Sequence, residues 1–311
     1  MPKPSFLYRF YIYQQERFPL LAHGVLISAF SFSAISYARI CRGVQGFIDL
    51  KTYFLGVFVT ITLFLLVRIF DEFKDAKEDA LYRKELPVPR GLVSLRELGI
   101  LGGILVVLQI AVNLVFFPAM LWIYGLVMGY LLLMGKEFFI GEWLKKHQFW
   151  YVVSHMLIIP LVDTYASGLD WLLAGVEAPI GLLFFFVVSF MNGIVLEIGR
   201  KIRIPAQESE GVVTYSSMLG ANQATLLWIA MLIFTFFWSV QASHFAGYGL
   251  VSIIVLGFVL VLCALPACLF LRYKQARLAK MIEYASALWT IAMYLTLGGA
   301  PMIAKLWNLS F

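Results

Sequence analysis

Long apolar runs separated by short charged stretches dominate the chain. Apolar windows fall near 19–38, 53–70, 98–117, 118–135, 149–167, 178–196, 221–242, 247–271 and 284–304. A hydrocarbon core about 30 Å thick is crossed by roughly 20 apolar residues in a helix, and each window is of that order. The pattern predicts an all-α, polytopic membrane protein with about nine transmembrane helices. Phe117-Pro118 leaves only a tight turn between the third and fourth windows, because proline opens a helix without losing a needed donor. Those two windows are therefore expected to form a hairpin. The first 18 residues, MPKPSFLYRFYIYQQERF, are aromatic and basic with no apolar core, which predicts an interfacial segment and not a cleaved signal peptide. With no low-complexity tract, short-period repeat or linker, residues 1–311 are expected to form a single transmembrane domain.

Charge refines this picture. The chain is 61% apolar and only 14% charged, too little charge for a soluble domain of 311 residues. With the N-terminus inside, 20 of the 24 Lys and Arg fall on that side. The positive-inside rule then predicts an integral membrane protein with a cytoplasmic N-terminus and an outside C-terminus, in the inner (cytoplasmic) membrane if the source is bacterial. The net charge of +6 suits anionic lipids of the bilayer or an anionic substrate, and no nucleic-acid partner is expected. Cys41, Cys263 and Cys268 have neither CxxC nor Cys/His spacing and read as packing residues.

The second window runs into LFLLVRIFDEFKDAKEDALYRKELPVPRGLVSLREL, where Asp71, Asp75 and Asp79 recur every four residues. On one helix that spacing stacks three carboxylates along a drifting face, where like charges repel unless cations lie between them. Mg2+ is a natural candidate, since it takes one or two carboxylates, keeps waters and completes its shell with phosphate oxygens. Lys74, Lys77, Arg83, Lys84 and Arg90 are placed to neutralise remaining phosphate charge. The same residues also read as a solvated juxtamembrane helix laced with ion pairs, and charge pattern alone leaves both readings open.

The fifth window, FWYVVSHMLIIPLVDTYASGLDW, carries His155, Asp163 and Asp170. Ionisable groups in a span are expensive and face a cavity or a partner. Asp163 or His155 orienting an acceptor stands beside an interhelical hydrogen bond, and Asn113 and Asn192 carry the same ambiguity. Gly125 and Gly129 read as a helix-packing pair. Phe184, Phe185, Phe186 and Phe190 are candidates to line an apolar tunnel, or are simply core and lipid-facing rings.

The first acidic stretch resembles the signature of the UbiA superfamily of intramembrane prenyltransferases, N-x-x-x-D-x-x-x-D followed by R-P-L-P-x-G. Asp71, Asp75 and Asp79 fill its three acidic-motif slots in one register; in the other, Val67 takes the Asn slot and Asp71 and Asp75 are the aspartates. Pro87-Val88-Pro89-Arg90-Gly91 matches the later punctuation, with Leu86 where arginine is usual. MNGIVLEIGRKIRIPAQESEGVVTYSSMLG resembles the second acidic motif and the turn over Gly211–Gly220, but Glu197 and Lys201 stand where D-x-x-x-D is usual. Glu208 and Glu210 are candidates for the missing oxygens. GKEFFIGEWLKKHQ resembles the place of an aromatic residue and a lysine near the diphosphate. Together these features cover almost the whole chain.

The resemblance implies spans around a central cavity under a cytoplasmic polar cap, and Mg2+-dependent transfer of a prenyl group from a prenyl diphosphate to a small aromatic or lipidic acceptor. It implies metal ligation by Asp71, Asp75, Asp79 and Glu197, chemistry at Asp71, Asp75, Lys201 and Arg200, and diphosphate binding by Arg68, Lys145, Lys146 and Arg203. A terpene cyclase and a non-catalytic isoprenoid-binding or transport protein are the alternatives.

Overall fold

The computed structural model describes residues 4–208 and 212–307. Glu210 and Gly211, both drawn into the sequence reading, lie outside the described residues. The described chain is all-helical, and nine of its helical segments are long and apolar enough to cross a membrane: Leu20–Cys41, Leu50–Lys74, Leu95–Phe116, Pro118–Gly135, Gln148–Trp171, Gly181–Gly199, Ala221–Phe245, Gly249–Arg272 and Ala276–Leu306. They follow the predicted windows and are numbered here as spans one to nine. Before them lies the helix Phe6–Arg17, capped by the Ser5 side chain accepting from the Tyr8 amide and exposing Leu7, Tyr8 and Tyr11. The predicted hairpin between spans three and four forms. Phe117 leaves helical geometry after donating its N–H to Asn113, and Pro118 opens a single 3-10 turn.

The chain divides into two compact units, one of Met1–Ser28 with Asp49–Tyr151 and one of Ala29–Ile48 with Val152–Phe311. In the first, Asp49 caps span two through the Thr52 amide. A buried polar relay joins three spans: Gln109 donates to Thr62 Oγ1 over 2.8 Å, and Tyr124 donates to Gln109 over 2.9 Å. Polar side chains satisfied this way are tolerated inside an apolar bundle, and they fix register where packing alone is non-directional. Val107, Leu114 and Val115 meanwhile stay exposed on span three, as expected of a face turned to lipid.

In the second unit, buried Tyr37 donates to the carbonyls of Gly181 and Ala242, so span one tethers spans six and seven. Trp228 donates to Ser286 over 2.9 Å, joining spans seven and nine. Span five is broken at Leu157 into Gln148–Met156 and Ile158–Trp171. Pro160 explains the break, since it has no N–H for the Met156 carbonyl and its ring crowds that turn. Span nine carries a π turn at Leu295–Gly299, and there Gly298 packs so closely on the Ser33 carbonyl that a Cβ would collide with it.

Asp170, buried at the C-terminal end of span five, accepts from Arg39 and Arg42, each over 2.7 Å. Arg39 also donates to the Gln45 and Gly46 carbonyls and so ties down the turn after span one. Of the two readings open for Asp170, the interhelical partner is the one present.

Candidate functional site

The first acidic stretch does not lie on one continuous helix. Span two ends at Lys74, Asp75 sits at the junction, and a separate helix runs over Ala76–Tyr82. The i→i−4 backbone bonds nevertheless continue through the junction, from the Asp75 amide to Asp71 and from the Asp79 amide to Asp75. Asp71 and Asp75 have side chains 29% and 35% exposed and converge on the ammonium of Lys74, at 3.5 and 3.9 Å. Lys74 is itself largely buried and donates over 3.0 Å to the Tyr151 hydroxyl. Asp79 is buried and pairs with Arg83 at 3.4 Å. Burial pushes the Asp75 carboxyl above the ordinary aspartate range; Lys74 opposes the shift, while Asp71 and Asp79 add to it. Burial raises Asp79 as well, with Arg83 opposing.

Glu72, between these two half-buried aspartates in sequence, is buried and accepts from Arg17 over 2.7 Å and from Arg68 over 3.1 Å. Arg68 also reaches Asp71 at 3.8 Å. Arg90, read as a phosphate partner, instead makes a two-pronged bond to Glu16 at 2.8 and 2.7 Å. Lys145 bonds Glu78 over 2.6 Å at an exposed position, and that bond raises its ammonium above the usual lysine range. Lys146 is exposed.

The second charged stretch follows span six. Both Glu197 oxygens are engaged, one by Lys201 at 2.7 Å and the other by Arg200, whose Nε lies at 2.6 Å. The Glu197 side chain is buried, whereas Arg200 remains mostly exposed. The Arg203 amide donates to Ser216 Oγ. Glu208 accepts from the Thr214 hydroxyl at 2.7 and 2.8 Å, and Thr214 also caps the short helix Tyr215–Leu219. Gly220 ends that helix at φ +83°, a backbone setting that suits glycine.

Within the spans, Asp163 is fully buried and the hydroxyls of Ser189 and Tyr294 bond each other at 2.9 Å. Phe185 is buried against Tyr37 and Tyr294, so this ring is core. Phe184 stacks on Phe245.

Sequence reasoning named Lys74 only as one of several interleaved cations. The i+3 spacing from Asp71 was its available signal, and Tyr151 offered none. Arg17 and Glu72 were likewise not singled out.

The first acidic stretch thus gathers an ammonium and a phenol at two aspartates one turn apart. The UbiA prenyltransferase family model matches residues 29–298. The chain belongs to the UbiA prenyltransferase family. No curated protein matches it. Among solved structures, it is similar to that of a digeranylgeranylglyceryl phosphate synthase, with 14% identity, 94% of this chain and 99% of that chain covered, and a TM-score of 0.62. It is similar also to the apo structure of a UbiA homologue from Aeropyrum pernix K1, with 15% identity, 90% and 97% covered, and a TM-score of 0.63. At these identities the likeness is one of fold. A UbiA homologue from Archaeoglobus fulgidus, solved bound to DMAPP and Mg2+, is 14% identical over 88% of this chain and 97% of that one, with a TM-score of 0.43, too loose a likeness to carry argument.

Family membership and nine apolar helices make this an integral membrane protein of UbiA fold. The family's chemistry implies a divalent metal, and the residues present fit one at the first acidic motif. Asp71 and Asp75 already share a cation, the Lys74 ammonium, and both are partly open. Two carboxylates with phosphate oxygens and water are a sufficient Mg2+ shell. Glu197 fits less well, because cations hold both of its oxygens, and Asp79 is committed to Arg83. No group of three or more His, Cys, Asp or Glu placed to hold a metal occurs among the described residues.

Proposed function

We propose that the protein transfers a prenyl group from a prenyl diphosphate to a small aromatic or lipidic acceptor within the membrane, with Mg2+ as cofactor. The observation that carries this reading is the convergence of Asp71 and Asp75 on the single cation of Lys74. Two carboxylates that share one ammonium keep a net negative charge between them, a seat that suits a divalent ion bringing a diphosphate with it.

Asp71 and Asp75 are the metal ligands in this account. When bound, Mg2+ neutralises the diphosphate and makes it a better leaving group. Lys74, Arg68, Lys145 and Lys146 supply cationic partners for phosphate oxygens. Asp79 and Glu197, both already paired with cations, leave the metal set proposed from the motif resemblance. Glu197 instead orients Lys201 and Arg200, and with Arg203 these hold phosphate charge directly, as befits a second motif with lysine where a carboxylate is usual. The C–O bond breaks with its electron pair staying on the diphosphate, and the acceptor captures the allylic cation and gives up a proton. Excluding water protects that cation from conversion to an alcohol. The chain is oriented with its N-terminus in the cytoplasm, its C-terminus outside and its acidic and basic loops on the cytoplasmic side.

Lys201 in the second motif favours one other reading, intramolecular cyclisation of the prenyl diphosphate, which needs no acceptor. The test is incubation of the protein in nanodiscs with C10 to C20 prenyl diphosphates and a panel of phenolic acceptors. A product whose mass is prenyl plus acceptor minus a proton supports transfer, and a hydrocarbon product supports cyclisation. No product from any donor contradicts both.

A further inference from the structure

The helix Phe6–Arg17 precedes the stretch that the family model matches, yet it is pinned at three places inside that stretch, all within the first compact unit. Arg9 grips Glu97 at the start of span three with bonds of 2.5 and 3.1 Å, and donates to the Leu92 carbonyl. Glu16 grips Arg90 in the turn after the acidic stretch. Arg17 reaches Glu72, inside the acidic stretch itself. The helix thus straps the whole segment that carries Asp71 and Asp75.

The third contact is the most deeply buried of the three. The Glu16–Arg90 pair is exposed, where an ion pair contributes little. Glu72, by contrast, is only 1% exposed, and its Oε1 receives both Arg17 and Arg68. Arg68 is in turn shared with Asp71. Tyr13, one turn before Arg17 and fully buried, stands within electrostatic reach of Glu72 and Arg68. A continuous chain of charges therefore runs from Arg17 through Glu72 and Arg68 to Asp71. Take Arg17 away, and of its two guanidinium partners the buried carboxylate keeps Arg68, which is pulled towards Glu72 at the expense of its longer contact to Asp71. Losing a partner is costly for a buried carboxylate, and that cost drives the shift.

We infer that Arg17 is a positioning residue for the Asp71/Asp75 pair, acting through Glu72 and Arg68, and that the N-terminal helix thereby sets the affinity of the first acidic motif for metal and diphosphate. This rests on the proposed reading of Asp71 and Asp75 as metal ligands. Groups that orient metal ligands from behind are worth about 10- to 100-fold in metal affinity.

The test is direct Mn2+ binding by electron paramagnetic resonance, with inorganic pyrophosphate present, on the full chain in nanodiscs. The variants are Arg17→Ala, Glu72→Gln, the double variant, Arg17→Lys, and Glu16→Gln as a control that loosens the same helix without touching Glu72. Arg17→Ala and Glu72→Gln are each expected to weaken Mn2+ binding about tenfold or more, the double variant no more than either alone, and Arg17→Lys to recover part of the loss. Glu16→Gln is expected to bind as the wild type does. Wild-type affinity in folded Arg17→Ala, or an equal loss in Glu16→Gln, overturns the inference. If Arg17→Ala does not fold, Glu72→Gln and Arg17→Lys decide by the same criteria. Wild-type protein that binds no Mn2+ with pyrophosphate overturns the metal-site reading itself and the inference with it, and that arm tells the two failures apart.

Discussion

The Lys74 ammonium lies 3.5 Å from an oxygen of Asp71, inside the motif that the proposed reaction needs for its metal. The lysine offsets the repulsion between two neighbouring carboxylates; in the proposed reaction a bound metal would release it to face phosphate. An internal cation of this kind keeps the folded site stable before substrate arrives, at the expense of competing with the metal for its ligands.

Lys74→Met is expected to destabilise the metal-free protein by about 1–2 kcal/mol, since Asp71 and Asp75 lose the cation they share and the Tyr151 hydroxyl loses the ammonium that donates to it. Excess Mg2+ should restore most of that loss. Thermal unfolding with and without Mg2+ checks this, and a loss unaffected by Mg2+ contradicts the shared seat.

Asp79 gives a pH prediction. Its folded-state carboxyl is raised above the ordinary 3.8. A raised acid contributes stability that is fully present below the ordinary value and is lost as pH rises through the folded value, because the folded state then has to hold a buried charge. Asp79→Asn, which mimics the protonated form, should therefore be no less stable than the wild type at pH 7.5, despite losing the Arg83 pair. The difference between the two should shrink towards zero near pH 4. Melting curves across that window test it, and a large loss at pH 7.5 would show that the Arg83 pair outweighs burial.

Asp170 is the opposite case, a buried carboxylate with two guanidinium partners. Asp170→Asn strands both charges and should lower stability by about 3–5 kcal/mol. Arg39→Ala should cost less, since Arg42 still holds the carboxylate. The melting temperatures of the two variants in nanodiscs give the comparison, and equal losses would contradict the shared pairing.

The spans were legible because lipid imposes a length and an apolar composition on every crossing helix, and the Phe117-Pro118 hairpin was legible because proline has one comfortable place there. The four-residue spacing of Asp71, Asp75 and Asp79 predicts one helical face, but the helix is interrupted at Asp75, and Asp79 is buried and paired with Arg83. Nothing local announces that break: the stretch Lys74–Ala80 consists of helix-compatible residues, and tertiary pairing overrides propensity. Lys145 and Lys146 were placed near the diphosphate by loop order, whereas Lys74 and Tyr151 meet at the acidic motif through a contact 77 residues apart. The Arg17–Glu72 pair escaped for the same reason, since Glu72 reads as one more solvated acid until its burial is seen.

The most direct measurement is diphosphate release by the protein in nanodiscs, given C10 to C20 prenyl diphosphates with and without Mg2+, beside Asp71→Ala and Asp75→Ala. The account predicts Mg2+-dependent release by the wild type and loss of about 100-fold or more in each variant. Release that is indifferent to Mg2+, or that survives in both variants, would contradict it.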